Sequence, residues 1–236
     1  MQTIALLSKV LWSPGETMVL LAKNPRVLTP MVFLAIFSLL TGAAVFMKVD
    51  SAELAMRAIE RSSQGANLSD EQKDQIRRQM NSPLIRGLTF ASTVVGSLVV
   101  VLLVATIYFG VFTLLGREGG FKAFLSITAF AFVPTIFRQL AAVLSVFMLP
   151  SSALMPDELG SLSPAVFLDR DAVSPVLFAA VNTVDVISIW ILSLLVIGYG
   201  LVTRRSVSKF ARTAAVLGVF LIYVCLRLAS AALRGI

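Results

Sequence analysis

The 236-residue chain contains no histidine and one cysteine, and only 14% of its residues are charged. Without histidine, neither a Ser-His nor a Cys-His nucleophile can be assembled, and histidine-ligated metals are excluded. Cys225 stands alone inside an apolar run, so no intramolecular disulfide or cysteine metal site can form. A small packing residue is its expected role. The phosphate-loop, dinucleotide and nucleophile-elbow patterns (G-x-x-x-x-G-K-[ST], G-x-G-x-x-G, G-x-S-x-G) do not occur. No cofactor is expected, and these absences weigh against an enzyme. The shortage of charge is informative too, since a soluble domain carries about a quarter charged residues.

What is present is apolar: 57% of the chain is hydrophobic. The charges gather at 50–86, 117–122, 157–171 and 204–212, with long apolar runs between them. That pattern predicts an all-α, polytopic transmembrane helical bundle. The net charge of +7 and pI near 10.1 do not point to nucleic acid, because the basic residues flank apolar spans and form no continuous stripe. They read as topology determinants and headgroup contacts.

Residues 1–28 form an amphipathic segment. Ser13-Pro14-Gly15-Glu16 has the composition of a capping box with proline at the first helical position. The helix it starts runs to about Lys23, with Met18, Val19, Leu20 and Leu21, and Trp12 precedes it. A tryptophan, an apolar face and basic residues suit a helix lying at the membrane interface. An ordinary helix packed on the spans is the alternative. Asn24-Pro25 breaks it. Five spans follow, at 30–47, 87–115, 121–149, 176–202 and 210–232. The first is read as retained, because it is longer than a signal h-region and no clear small-x-small cleavage site follows it.

Between the first two spans, 48–86 reads as an extramembrane helical hairpin. Its first helix has Leu54, Ala55, Ala58 and Ile59 as apolar positions, and Gln64-Gly65-Ala66-Asn67 marks the break. A capping box at Ser69-Asp70-Glu71-Gln72 opens the second helix. Glu53/Arg57 and Asp74/Arg78 are favourable i,i+4 pairs. In the second span, Gly87, Gly96 and Gly110 offer sites for close helix contact. The third span is overlong. Its 29 residues extend roughly 43 Å at the helical rise, more than the hydrocarbon thickness, and a bend at Pro134 absorbs the excess. The loop 150–174 puts Phe167 and Leu168 near the interface.

Two charges lie where no helix end explains them, Arg138 and Asp185. Arg138 lies roughly 16 Å of helix before position 149, and Asp185 roughly 13 Å after position 176. Consecutive antiparallel spans bring those depths together, which predicts a salt bridge within the bundle. Alone, each charge would cost about 2.5–3.5 kcal/mol to insert. The functional alternative makes Asp185 a proton- or cation-coupling site, with Asn182, Thr183 and Gln139 as its polar neighbours.

Orientation follows from lysine and arginine. With the N-terminus inside, the inner segments hold Lys9, Lys23, Arg26, Arg117, Lys122, Arg204, Arg205, Lys209 and Arg212 against Glu16 and Glu118 alone. The outer loop holds Arg170 against Asp157, Glu158, Asp169 and Asp171. This places the N-terminus in the cytoplasm and the C-terminus outside.

Short motifs in a particular order resemble the YIP family of membrane proteins. Trp12-Ser13-Pro14-Gly15-Glu16-Thr17 with Asn24-Pro25 is similar to the opening of its bacterial members. Gly119-Gly120-Phe121 and Ala129-Phe130-Ala131-Phe132-Val133-Pro134 resemble the family's pattern around a mid-span proline. Asp185, Ile189-Trp190 and Gly198 resemble its fourth span. The resemblance covers 11–224, with 50–86 as an insertion of variable character, and the whole of 1–236 is expected to be a single membrane domain of that kind. It implies five spans with a cytoplasmic N-terminus, here in a bacterial inner membrane. The family's eukaryotic link to Rab GTPases does not carry over, because a long cytoplasmic N-terminal domain is lacking. The expected function is a non-enzymatic scaffold or adaptor, with membrane lipids and other membrane proteins, a second copy included, as partners. The alternative is a small transporter or channel.

Overall fold

The computed structural model describes residues 2–60, 68–116, 119–150, 154, 159–169, 172–203 and 206–234. The expected break at 64–67, the turn charges Arg117 and Glu118, Arg204, Arg205, and the loop charges Asp157, Glu158, Arg170 and Asp171 lie outside them, as do the side chains of Leu54, Ala55 and Ala58. Among the described residues, regular structure is helical throughout: α1 (Gln2–Trp12), α2 (Pro14–Lys23), α3 (Leu28–Lys48), α4 (Ser51–Glu60), α5 (Asp70–Met80), α6 (Pro83–Leu114), α7 (Phe121–Ala131), α8 (Thr135–Met148), a 3-10 turn (Pro164–Phe167), α9 (Pro175–Thr183), α10 (Val186–Val202) and α11 (Lys209–Arg234). Leu28–Lys48, Pro83–Leu114, Phe121–Met148 and Lys209–Leu233 are each long and apolar enough to cross a membrane. Pro175–Thr183 and Val186–Val202 make a fifth such segment only as a pair, bent by 50°. The expected span at 176–202 is therefore interrupted, at Val184 and Asp185.

Local chemistry accounts for most helix boundaries. Ser69 and Gln72 form a complete capping box: the Gln72 amide N–H donates to Ser69 Oγ at 3.3 Å, and the Ser69 N–H to Gln72 Oε1 at 2.9 Å. Ser174 caps α9 by accepting from the Leu177 N–H, with Pro175 at the first position. The third apolar segment breaks at Pro134, as its missing N–H requires. Around it the backbone tightens to i→i+3 bonds, Val133 to Phe130, Thr135 to Phe132 and Ile136 to Val133.

The N-terminal capping box does not form. Ser13 makes no side-chain cap bond. Residues 2–12 are already helical, and the Ser13 N–H donates to Lys9 O at 2.7 Å, so Ser13 is the joint between two helices and not a free start. Its carbonyl accepts from both the Thr17 N–H and Thr17 Oγ1, and Glu16 lies 4.0 Å from Lys9.

The chain divides into two compact units. The first comprises Met1–Ile36, Gly96–Ile136 and Val186–Tyr223. Here α2 packs on α10 and α7, and α1 packs on α2. Thr17, Met18 and Leu21 are completely buried. At the centre lies an aromatic cluster, with Phe124 stacked on Tyr199 at 4.9 Å and flanked by Phe112 and Tyr108. Its polar ends are satisfied: Tyr199 OH and Thr128 Oγ1 are 2.6 Å apart, and Tyr108 OH donates to Val216 O at 3.1 Å.

The second unit comprises Phe37–Val95, Phe137–Asp185 and Val224–Ile236. Its core includes Val49, Val146 and Leu154. Helix α4 buries Ala52 and Met56, and it packs on α5. Phe46 meets Phe90 edge-on at 5.7 Å, and the Arg86 guanidinium lies 4.8 Å from the Phe46 ring. Of the two expected i,i+4 pairs, Arg57 donates to Glu53.

Two expectations about small residues are overturned. A Cβ on Gly87, Gly96 or Gly110 would meet nothing within 4 Å, so these glycines mediate no close contact among the described residues. Gly198 does. Its Cβ position runs into Ile127, with Met18 Sδ at 3.1 Å, so α10 reaches α7 and α2 only because no side chain intervenes. Cys225 is exposed, not packed. The physical cause is common to both. Lipid tails are as apolar as leucine, so an apolar or small residue in a span carries no label saying which face is inside.

Candidate functional site

The two deep charges meet within the second unit. Arg138 is in the first turn of α8, four residues beyond Pro134. Asp185 directly precedes the first residue of α10, and Val184 and Asp185 are the two non-helical residues between α9 and α10. No proline causes this break. It puts the carboxylate at the start of a helix, where the N-terminal dipole favours an anion. Arg138 Nε donates to Asp185 Oδ2 at 2.8 Å and Nη2 to Oδ1 at 2.5 Å. The contact is a bidentate fork, the strong form of a guanidinium–carboxylate pair. Burial is uneven: the Asp185 side chain is 5% exposed and that of Arg138 33%.

Further polar groups neighbour this pair in sequence and hold partners of their own. Gln139, next to Arg138, donates from Nε2 to Ser38 Oγ at 3.2 Å, and its buried Oε1 accepts no hydrogen bond among the described residues. Three residues before Asp185, Asn182 accepts at Oδ1 from Ser161 Oγ at 2.7 Å and from Ser163 Oγ at 2.9 Å. Thr183 returns its hydroxyl to Ala179 O at 2.6 Å. The loop carrying the two serines reaches α8 through Gly160, whose φ of +71° favours glycine and whose Cβ position would strike the Arg138 carbonyl.

Sequence reasoning named Arg138, Asp185, Gln139, Asn182 and Thr183. It missed Ser38, Gly160, Ser161 and Ser163. A lone glycine between Leu159 and Ser161 was the only available signal. The other named residues belong to the first unit. Trp12 ends α1 and is 82% exposed. Ser13, Pro14, Gly15 and Glu16 form the α1–α2 joint, Trp190 packs on the main core, and Gly198 sits against Ile127 and Met18.

A broken span carrying an aspartate, a second broken span carrying proline, and the α2 helix ahead of them recur in the order the short motifs suggested. The family model for the Yip1 domain matches residues 8–229. The chain belongs to the Yip1-domain family. That match takes in the 48–86 hairpin along with the spans. No curated protein and no solved structure matches the chain. Family and apolar helices together make it a multi-pass membrane protein of the Yip1-domain family, and the Arg138–Asp185 fork belongs to its apolar segments. The fork cancels two charges and ties the first turn of α8 to the residue that precedes α10. That arrangement can fix helix registry.

Proposed function

We propose that the protein is a non-enzymatic membrane scaffold or adaptor that organises membrane proteins or lipids, with the Arg138–Asp185 pair as an intramembrane structural clamp. The observation that carries this reading is the bidentate fork: the two deep charges are spent on each other, in the geometry of a registry device. In this reading the N-terminus is cytoplasmic, α1 and α2 lie at the membrane surface with Trp12 outward, and the α4–α5 hairpin is the extramembrane contact surface. The exposed Trp12, Ile4 and Leu20 support the first surface, and the fully solvated flank of α5 supports the second. The likeness of Trp12-Ser13-Pro14-Gly15-Glu16-Thr17 to the opening of bacterial members of the family supports a bacterial inner membrane as its place. The test is chemical crosslinking in intact membranes followed by mild detergent extraction. A stoichiometric partner, or a second copy, should be recovered, and repeated recovery of the un-crosslinked monomer alone sinks the reading.

A small transporter or channel using Asp185 as the coupling site is the second reading. One observation favours it: both spans that carry the deep charges are interrupted next to them, as substrate sites of transporters often are. Its test is ion-driven uptake into vesicles containing wild-type protein or Asp185→Asn. A pH-dependent flux lost in the variant would replace the scaffold by this reading, and its absence in both removes the reading.

A further inference from the structure

A cleft of about 350 Å³ opens in the first unit, lined by Ala5, Leu6, Lys9, Leu20, Leu21, Asn24 and Arg26. Its volume is within the range of small-ligand pockets. The lining combines apolar residues with two cations and an amide. We infer that this cleft binds the headgroup of an anionic phospholipid, its phosphate held by Lys9 and Arg26 and its glycerol end resting on Leu6 and Leu20.

Three features carry the inference. The first is charge: Lys9 and Arg26 come from different elements, α1 and the segment after α2, and converge on one opening. The second is preorganisation. The completely buried Ser126 grips the Arg26 backbone from both sides, accepting from its N–H at 2.9 Å and donating to its carbonyl at 2.9 Å. The cleft wall is thus fixed to α7 before any ligand arrives, which lowers the ordering cost of binding. The third is availability. Lys9 meets Glu16 only at 4.0 Å with both side chains well exposed, a contact of the kind that contributes little and yields readily to a phosphate. The apolar lining and the exposed Ile4 and Trp12 nearby select a lipid over a free phosphate, because a soluble anion leaves that surface in water. The inference rests on the membrane location of the chain and not on the adaptor reading.

The experiment uses full-length protein, delipidated in a neutral detergent and then incubated with phosphatidylglycerol or phosphatidylcholine, with retained lipid counted by native mass spectrometry. Phosphatidylglycerol should be retained and phosphatidylcholine not. Lys9→Gln with Arg26→Gln should weaken retention at least about tenfold. Lys9→Gln alone, at an exposed position, should give part of that loss and serves if the double variant fails to fold. Arg77→Gln with Arg78→Gln removes the same charge from exposed positions on α5 and should retain the lipid. Equal retention of the two lipids, an equal loss in the α5 variant, or wild-type retention in both cleft variants overturns the inference. Displacement by millimolar inorganic phosphate overturns the lipid as the occupant. A failure to recover a protein partner, which would sink the adaptor reading, leaves these outcomes untouched.

Discussion

The Arg138–Asp185 fork is asymmetric, and the asymmetry has consequences. Asp185 is almost fully buried, whereas a third of the Arg138 side chain is exposed. Removing the arginine leaves a carboxylate charge in a buried place. Removing the carboxylate leaves a guanidinium that can turn toward water or headgroups. Arg138→Gln should therefore cost about 3 kcal/mol and Asp185→Asn less. The double variant should recover part of the loss, with a coupling of about 0.5–3 kcal/mol. Thermal unfolding of the four proteins in one detergent measures all three quantities, and additive single effects would contradict the clamp. Gly160 gives a second prediction at this scale. Alanine there must adopt a positive φ and push against the Arg138 carbonyl, so Gly160→Ala should cost more than about 1 kcal/mol. The same unfolding assay would show it.

Among the elements, glycines separate into those that mediate contact and those that do not. Gly198→Ala forces a methyl group into Ile127 beside Met18 and should destabilise the packing of α10 on α7 and α2 by about 1–3 kcal/mol. Gly96→Ala, in the middle of α6 with open space around it, should be neutral or stabilising by up to about 1 kcal/mol. Finding the reverse order would mean that α6 meets a partner through its glycine face. At α5, Ser69→Ala removes one half of the capping box. The expected loss is about 1 kcal/mol of local stability, seen as faster amide exchange across Asp70–Met80 and little change elsewhere. Signals of this local kind were legible in the sequence: Ser69 with Gln72, Ser174 with Pro175, and Pro134 as an interruption. They act over one turn of chain and need no tertiary partner. The interruption before Asp185 was not legible, because Val184 and Asp185 are permitted in a helix and no proline or glycine marks the place.

For the whole molecule, the positive-inside bias predicts an orientation that labelling can test. In a Cys225→Ser background, a cysteine placed at Gln72 on α5 should react with a membrane-impermeant maleimide added outside intact cells. A cysteine at Ser8 on α1 should react only after lysis. Reaction of both from outside, or of Ser8 alone, would reject the N-terminus-inside arrangement.

By itself the sequence located the apolar segments and their approximate limits, because span length is set by bilayer thickness and one apolar run suffices to reveal it, while whether 176–202 is one span or a bent pair was left to the fold. It also singled out the two deep charges and indicated, by depth along consecutive spans, that they can meet, since an unpaired charge there is expensive. Tertiary structure alone decided which faces of the segments look inward. In water a helix advertises its buried face by apolar periodicity. In a membrane both faces are apolar, and the outward row of Leu103, Leu221 and Leu226 reads no differently from the inward Leu194 and Ile127. For the same reason only the folded chain shows Gly198 in contact and Gly87, Gly96 and Gly110 free of it. Only the folded chain shows Gly160, Ser161 and Ser163 brought to the fork.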